Sequence, residues 1–330
     1  MDKAVPLVEV SRGPILESRH FGHAVVANDR GEIIAAWGDP SKVVLPRSSA
    51  KMLQALPLLE SGAGRDLSSE QLALACASHS AEHMHVSRVR DWLTQLGLSE
   101  EHLCCGPTPP LGEDVRDQMI RDGQPFTRLH SDCSGKHAGF LTLTKHLGAG
   151  LDYVDPDHPV QKAVRATIED MCQEDSPGYG IDGCAAPNFA VTLAGMAKAM
   201  ASFASKGPGG SVRDGACVTL RDAMMQHPEL VSGTGRACNN LMQAAGGQAA
   251  VKTGAEGFFV GILPDAQLGI ALKIEDGAKR GAEAAMAALL VRYGVVDRND
   301  PRVAQHLNAP VFNFNRDVVG HIRPIAGLLG

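Results

Sequence analysis

No apolar run in the 330-residue chain approaches the roughly 18 residues that a membrane-spanning helix requires. A basic surplus is missing too. The net charge is −6, and phosphate contacts need a cationic surface, so nucleic acid is not expected as a partner. The N-terminus "MDKAVPLVEVSRGP" carries charge early and has no apolar core of the kind a secretory leader has. It reads as mature sequence, and a cytoplasmic protein that binds no membrane is expected. No C-x-x-C pair occurs among the 8 cysteines. In a reducing compartment such cysteines are free thiols, metal ligands or core residues rather than a disulfide framework. Internal repeats and low-complexity linkers are also absent.

What remains is an ordinary globular composition, 44% apolar and 21% charged, long enough for one large domain or two. The first 40 or so residues have strand texture. In "AVVANDRGEIIAAWGD" two apolar runs flank Asn28-Asp29-Arg30-Gly31, a hairpin signal. From Pro46 to about Ala245 the segments read as helices. "SSEQLALACAS" opens with a capping box, Ser68 to Gln71. "PVQKAVRATIEDMCQE" starts at Pro159, with Val160, Val164 and Ile168 on one face. "NFAVTLAGMAKAMASFASKG" ends at Gly207. After Gly247, "AAVKTGAEG", "FFVGILPD" and "LGIALKIEDG" are short apolar runs separated by turn residues, an antiparallel meander. The helix "AKRGAEAAMAALLVRYG" follows and packs on it. The expected fold is therefore mixed α/β (α+β). An antiparallel sheet built from N- and C-terminal strands, residues 1–44 and 248–330, carries flanking helices, and residues 45–247 form an inserted helical lobe.

The chemistry begins at "LPRSSAKMLQALPLLESG". Ser48 and Lys51 are three apart, so a helix places them on one face. Ser-x-x-Lys occurs once. Alone, it reads first as a helix cap beside an exposed lysine. The chain also holds one Lys-Thr-Gly, Lys252-Thr253-Gly254, and one Ser-Asp pair, Ser131-Asp132-Cys133. The order S-x-x-K, S-D-x, K-T-G is that of serine β-lactamases and penicillin-binding proteins, with Cys in place of the usual Asn. A hydroxyl at a helix start sits near the positive end of the helix dipole. A serine needs a base within hydrogen-bond reach. A lysine serves as one only when neutral, which a second cation in the same cleft favours, a reason for Lys252 beside Lys51. Ser80, in "CASHSAEHMHV", either caps the next helix or bonds Lys252 or substrate. "HSDCSGKHAGF" and "GIDGCAAPNF" place Cys133 and Cys184 in loops at helix starts, as thiolate ligands for zinc or as buried thiols.

Together "PRSSAKMLQALPL", "CASHSAEH", "HSDCSGKHAGFL", "GIDGCAAPNF", "HPELVSGTGR" and "VKTGAEGFFVGILP" resemble the rhizobial-type L-asparaginase II family, whose fold is similar to serine β-lactamases and serine-type glutaminases. The resemblance implies hydrolysis of L-asparagine to aspartate and ammonia, by a homodimer. It implies two Ser-Lys tandems, Ser48 with Lys51 and Ser80 with Lys252. It implies one zinc per chain on Cys133, Lys136, Cys184 and a water, and substrate contacts from Arg47, His137 and Asp182. Arg47 would hold the α-carboxylate and Asp182 the α-ammonium. The expected route is an acyl-enzyme on Ser48. A water activated by the ion, a glutaminase, a β-lactamase or peptidase, and a non-catalytic amino-acid sensor are the alternatives. The Cys in place of Asn and the missing leader weigh against a β-lactamase, and the complete set of tandems weighs against a sensor.

Overall fold

The computed structural model describes residues 3–207 and 209–330. Its chain divides into two compact units: residues 1–49, 191–205 and 240–330, and residues 50–190 and 206–239. Among the described residues no helix is long and apolar enough to cross a membrane.

The first unit is built on an eight-stranded antiparallel sheet. Val5–Arg12 pairs with Ile15–Asn28, which pairs with Leu268–Ile274, then Phe258–Leu263, then Ala250–Thr253. The expected hairpin is present, and Ile33–Trp37 returns along Ile15–Asn28 after the turn at Asn28. Every residue of Phe258–Leu263 is buried, which requires cover on both faces of the sheet. The helices Leu193–Ser205 and Lys279–Arg292, rich in alanine and so able to approach closely, supply it. Two findings depart from the sequence reading here. Ala309–Phe312 and Val318–Pro324, which carry no strand assignment in that reading, extend the sheet beyond Val5–Arg12, with Val8 opposite Pro324. The helix Leu193–Ser205, expected in the lobe, packs on the sheet and belongs to its unit. It also starts later than expected, because Pro187–Phe189 and Val191–Thr192 are short strands.

The second unit is helical. Ser134–His146 is buried continuously from Ser134 to Thr144, as a helix surrounded by others must be. Lys51–Glu60, Ser69–Ala75, His83–Gln95 and Pro159–Cys172 pack around it. The capping box at Ser68 and Gln71 forms with both hydrogen bonds, and Pro159 occupies the first turn of its helix. The buried helix matters for function, since its first turn carries Lys136 and His137.

Candidate active site

In the sheet unit, Arg47–Ala50 is a 3-10 turn that leads into the helix Lys51–Glu60. Ser48 is thus on the turn and not the helix cap; the cap is Ala50, without a side-chain hydrogen bond. Arg47 has a left-handed backbone, φ 52°, a conformation unusual for a side chain larger than glycine's and frequent at functional turns. The two adjacent serines have different fates. Ser49 is buried, and its hydroxyl donates to the Lys252 carbonyl at 2.9 Å. Ser48 is only half-buried. The turn therefore lies directly on the strand that carries Lys-Thr-Gly. A Cβ on Gly254 would meet the Pro46 carbonyl oxygen at 2.8 Å and Ser49 Oγ at 2.9 Å, so only glycine allows this approach. Lys252 is fully buried, with Nζ donating to the Thr253 carbonyl at 2.7 Å. The structure thus brings two of the three ordered motifs together in one unit, through Ser49, a residue for which the sequence offered no separate signal.

In the helical unit, Lys51 is the first residue of its helix and is fully buried. A buried amine left without hydrogen-bond partners would be costly. Its Nζ donates to the Ala77 carbonyl and to Ser78 Oγ, the latter at 3.0 Å, and Asp132 Oδ2 lies 3.7 Å away. Asp132 comes from the Ser131-Asp132-Cys133 triad, so the middle motif meets the lysine of the first.

Cys133 caps the buried helix, Lys136 and His137 follow in its first turn, and Cys184 faces them from the turn after Tyr179–Ile181. That turn is closed by the Ala185 amide on the Asp182 carbonyl at 2.9 Å, with Ala185 left-handed at φ 67°. Lys136 Nζ donates to Cys184 Sγ at 3.0 Å. The hydrogen bond between the sulfurs polarises the pair. It holds the Cys184 thiol far below the ordinary range, aided by Lys136 and His137 against the effect of burial. The same bond, with burial and Asp132, pushes Cys133 well up. Burial alone would lower the Lys136 ammonium, but its interactions with Cys184, first, and Cys133 raise it instead. Asp182 acts on Lys136 in the same sense. His137 Nδ1 is within 2.9 Å of the Tyr153 hydroxyl. Its Nε2 is buried with no hydrogen bond of good geometry, and burial holds the ring below its ordinary value, so it is neutral.

An amine on one sulfur, with a second sulfur at the same helix start and a buried imidazole nitrogen without a hydrogen bond beside them, fits a thiophilic ion such as zinc. Among the described residues no group of three or more His, Cys, Asp or Glu forms such a set; the third donor here is lysine. Cys133, Lys136 and Cys184 are therefore together, with His137 and Asp182 adjoining.

Ser80, also in this unit, is buried and does not cap the following helix. Its hydroxyl donates to Glu82 Oε1 at 2.5 Å. The helix His83–Gln95 is capped by Glu82, with no side-chain hydrogen bond. Nearby, His79 and His85 stack with ring centroids 5.0 Å apart. Burial, first, and their neighbouring cations lower both, so both are neutral when folded. An unfolded histidine binds its proton near pH 6.5. Stability from these two rings is therefore complete above that value and is lost as pH falls from it toward their lower folded values, by up to about 1.4 kcal/mol per pH unit for each ring. Thermal unfolding followed from pH 7.5 to 5 is expected to show a falling midpoint, and replacing His85 by Gln should flatten the slope. A midpoint unchanged below pH 6.5 would contradict this.

The family model described as L-asparaginase II matches residues 8–324 of the chain. Among curated proteins none matches. Solved structures similar to it include a β-lactamase from Mycobacterium bovis, at 13% identity and TM-score 0.43, covering 82% of this chain and 94% of that one. Another is Mglu in its tris and glutamate form, at 14% identity and TM-score 0.49, covering 90% of this chain and 65% of that one. A third is an octameric penicillin-binding protein homologue from Pyrococcus abyssi, at 13% identity and TM-score 0.35, covering 82% and 73%.

Proposed function

From the premise that the chain belongs to the L-asparaginase II family, and so to the asparaginase-type amidohydrolases, we propose that it hydrolyses L-asparagine to L-aspartate and ammonia through an acyl-enzyme. Ser48 Oγ forms a bond to the side-chain amide carbon, and its proton passes to Lys51. The tetrahedral carbon expels the amide nitrogen, which leaves as ammonia after taking up a proton. Water then attacks the ester, and aspartate is released with Ser48 restored. The observation that carries this reading is the fully buried Lys51, three residues after Ser48, with its amine fixed by the Ala77 carbonyl and Ser78. A base must have one set position to take a proton from a hydroxyl.

Ser80 and Lys252 are the second hydroxyl-amine pair of the proposal. Arg47 suits the substrate's α-carboxylate, since a guanidinium binds carboxylates with two parallel hydrogen bonds. Asp182 suits the α-ammonium. His137, neutral and with Nε2 unpartnered, suits a hydrogen bond to substrate. Cys133, Lys136 and Cys184 would hold one zinc per chain, and zinc when bound supplies Lewis-acid polarisation of a substrate oxygen. None of the 8 cysteines forms a disulfide, which suits a reducing compartment and the proposed cytoplasmic location.

Steady-state ammonia release from asparagine and glutamine, with and without added zinc, tests the reading. Turnover of asparagine is expected. Turnover of glutamine alone would place the same chemistry on the longer substrate, a difference of one methylene worth only about 1–3 kcal/mol in a pocket. Ammonia from neither would sink the proposal.

A further inference from the structure

Ser80 is seated in an arrangement that a buried helix cap would not need. Its hydroxyl donates to Glu82 Oε1 at 2.5 Å, the length of a hydrogen bond to a charged oxygen. Residues two apart rarely face one another. Here the intervening Ala81 makes it possible, with a left-handed backbone at φ 61°. That conformation costs about 1 kcal/mol or more for alanine and persists only where surroundings impose it. The surroundings are present. The Ala81 amide donates to His79 Nδ1 at 3.1 Å, and His79 Nε2 lies 2.8 Å from Ser134 Oγ. The bend is therefore tied to the first residue of the helix that carries Lys136.

Glu82 is held in turn. Its Oε1 accepts the Thr234 amide at 2.8 Å, and its Oε2 accepts the Thr234 hydroxyl at 2.8 Å. Burial alone would raise the Glu82 carboxyl. The hydrogen bonds from Ser80 and from both groups of Thr234 outweigh it, and the nearby His85 acts in the same direction, so the carboxyl stays below its usual range and ionised. Gly233 closes the site. It adopts φ 113°, and a Cβ there would lie 1.9 Å from Ser80 Oγ and 2.8 Å from Glu82 Oε1. The segment at 233–234 thus presses on the serine and clamps its partner at once.

We propose that Glu82 is a positioning residue for Ser80, holding its hydroxyl in one orientation, with Thr234 as the clamp that fixes Glu82. A carboxylate with three donors on it fixes the direction of the Ser80 O–H bond and leaves the oxygen lone pairs turned away from Glu82. Ser80 then presents a pre-aimed oxygen instead of a rotating one. Such an orientation raises the rate without strengthening ground-state binding. The role in turnover rests on the Ser-Lys chemistry proposed above; the orientation of Ser80 does not.

The test uses two readouts on the full-length protein. The first is kcat and KM for asparagine. Glu82→Ala is expected to lower kcat on the order of 100-fold with KM changed by less than about three-fold, as for a misplaced reacting group. Glu82→Gln keeps an oxygen for Ser80 and the Thr234 amide, and its NH2 donates to the Thr234 hydroxyl. It should recover to within about ten-fold of the parent, because the geometry survives and only the charge is lost. The second readout is acylation of Ser80 by p-nitrophenyl acetate, located by peptide mass spectrometry, with the same order expected: parent, then Gln, then Ala. If Glu82→Ala fails to fold, Thr234→Val carries the test, with acylation of Ser80 expected to fall about five-fold as one of three fixing bonds goes.

Parental acylation of Ser80 in Glu82→Ala or Thr234→Val overturns the proposal. So does a Glu82→Gln variant as impaired as Glu82→Ala. A parent that releases no ammonia from asparagine refutes the functional reading, while the acylation rates still decide the role of Glu82.

Discussion

Ser48→Ala is expected to lower kcat for asparagine on the order of 10⁴-fold while leaving the thermal midpoint within a degree or two of the parent, the pattern of a lost nucleophile. The adjacent serine supplies the control. Ser49 is buried and donates to the Lys252 carbonyl. Ser49→Ala leaves that carbonyl short of a donor and should cost about 1 kcal/mol of stability, with a much smaller effect on turnover. The pair of substitutions separates a reacting hydroxyl from a structural one at neighbouring positions. Purified Ser48→Ala with near-parental turnover would overturn the assignment and leave Ser80 as the hydroxyl to examine. Equal losses of activity in both variants would show that the turn, not one oxygen, is what the reaction requires.

Protein prepared without chelators should carry about one zinc per chain, as expected of a site with three protein donors and one open position. Cys184→Ser should reduce this to less than about a tenth, because serine at neutral pH offers a neutral hydroxyl where the ion needs a soft anion. The geometry gives the reason for choosing Cys184. Cys133 and Lys136 both hold its thiol below the ordinary range, and Lys136 Nζ donates to its sulfur at 3.0 Å. Cys172 is the control, since it is buried, its thiol is pushed up by burial, and it stands on a different helix. Cys172→Ser should retain the parental metal content by elemental analysis. If Cys184→Ser binds as much zinc as the parent, or if Cys172→Ser loses it equally, the proposed ligand set is wrong. Folding can be followed independently by circular dichroism.

Much of the architecture was legible because it is local. The turn at Asn28 and Gly31, the capping box at Ser68 and Gln71 and the start at Pro159 are each fixed by residues within a few positions of one another, so periodicity and caps reveal them. The strands Ala309–Phe312 and Val318–Pro324 were not. Both are short and each contains a proline; Val318–Pro324 becomes a strand by pairing with Val5–Arg12 from the other end of the chain, and Ala309–Phe312 by pairing with Val318–Pro324. The helix Leu193–Ser205 was legible as a helix but not by its location, since an apolar face does not say which partner it will bury against.

The same division runs through the candidate site. The sequence by itself determined which hydroxyls, amines and thiols exist, in what order, and on which local elements: Ser48 before a helix with Lys51 three residues on, Lys252 on a strand, Cys133 and Lys136 at one helix start. Those are matters of residue type and short spacing. Tertiary structure decided the rest. It spent Ser49 on the Lys252 carbonyl and left Ser48 half-buried. It set Lys51 on the Ala77 carbonyl and Ser78, joined Cys184 to Lys136, and turned Ser80 to Glu82 through a left-handed alanine clamped by Thr234. The physical reason is that a hydrogen bond forms between groups that meet in space and are shielded from water. Which groups meet depends on contacts between distant segments, and on a backbone angle at Ala81 that nothing in its neighbours' identities requires.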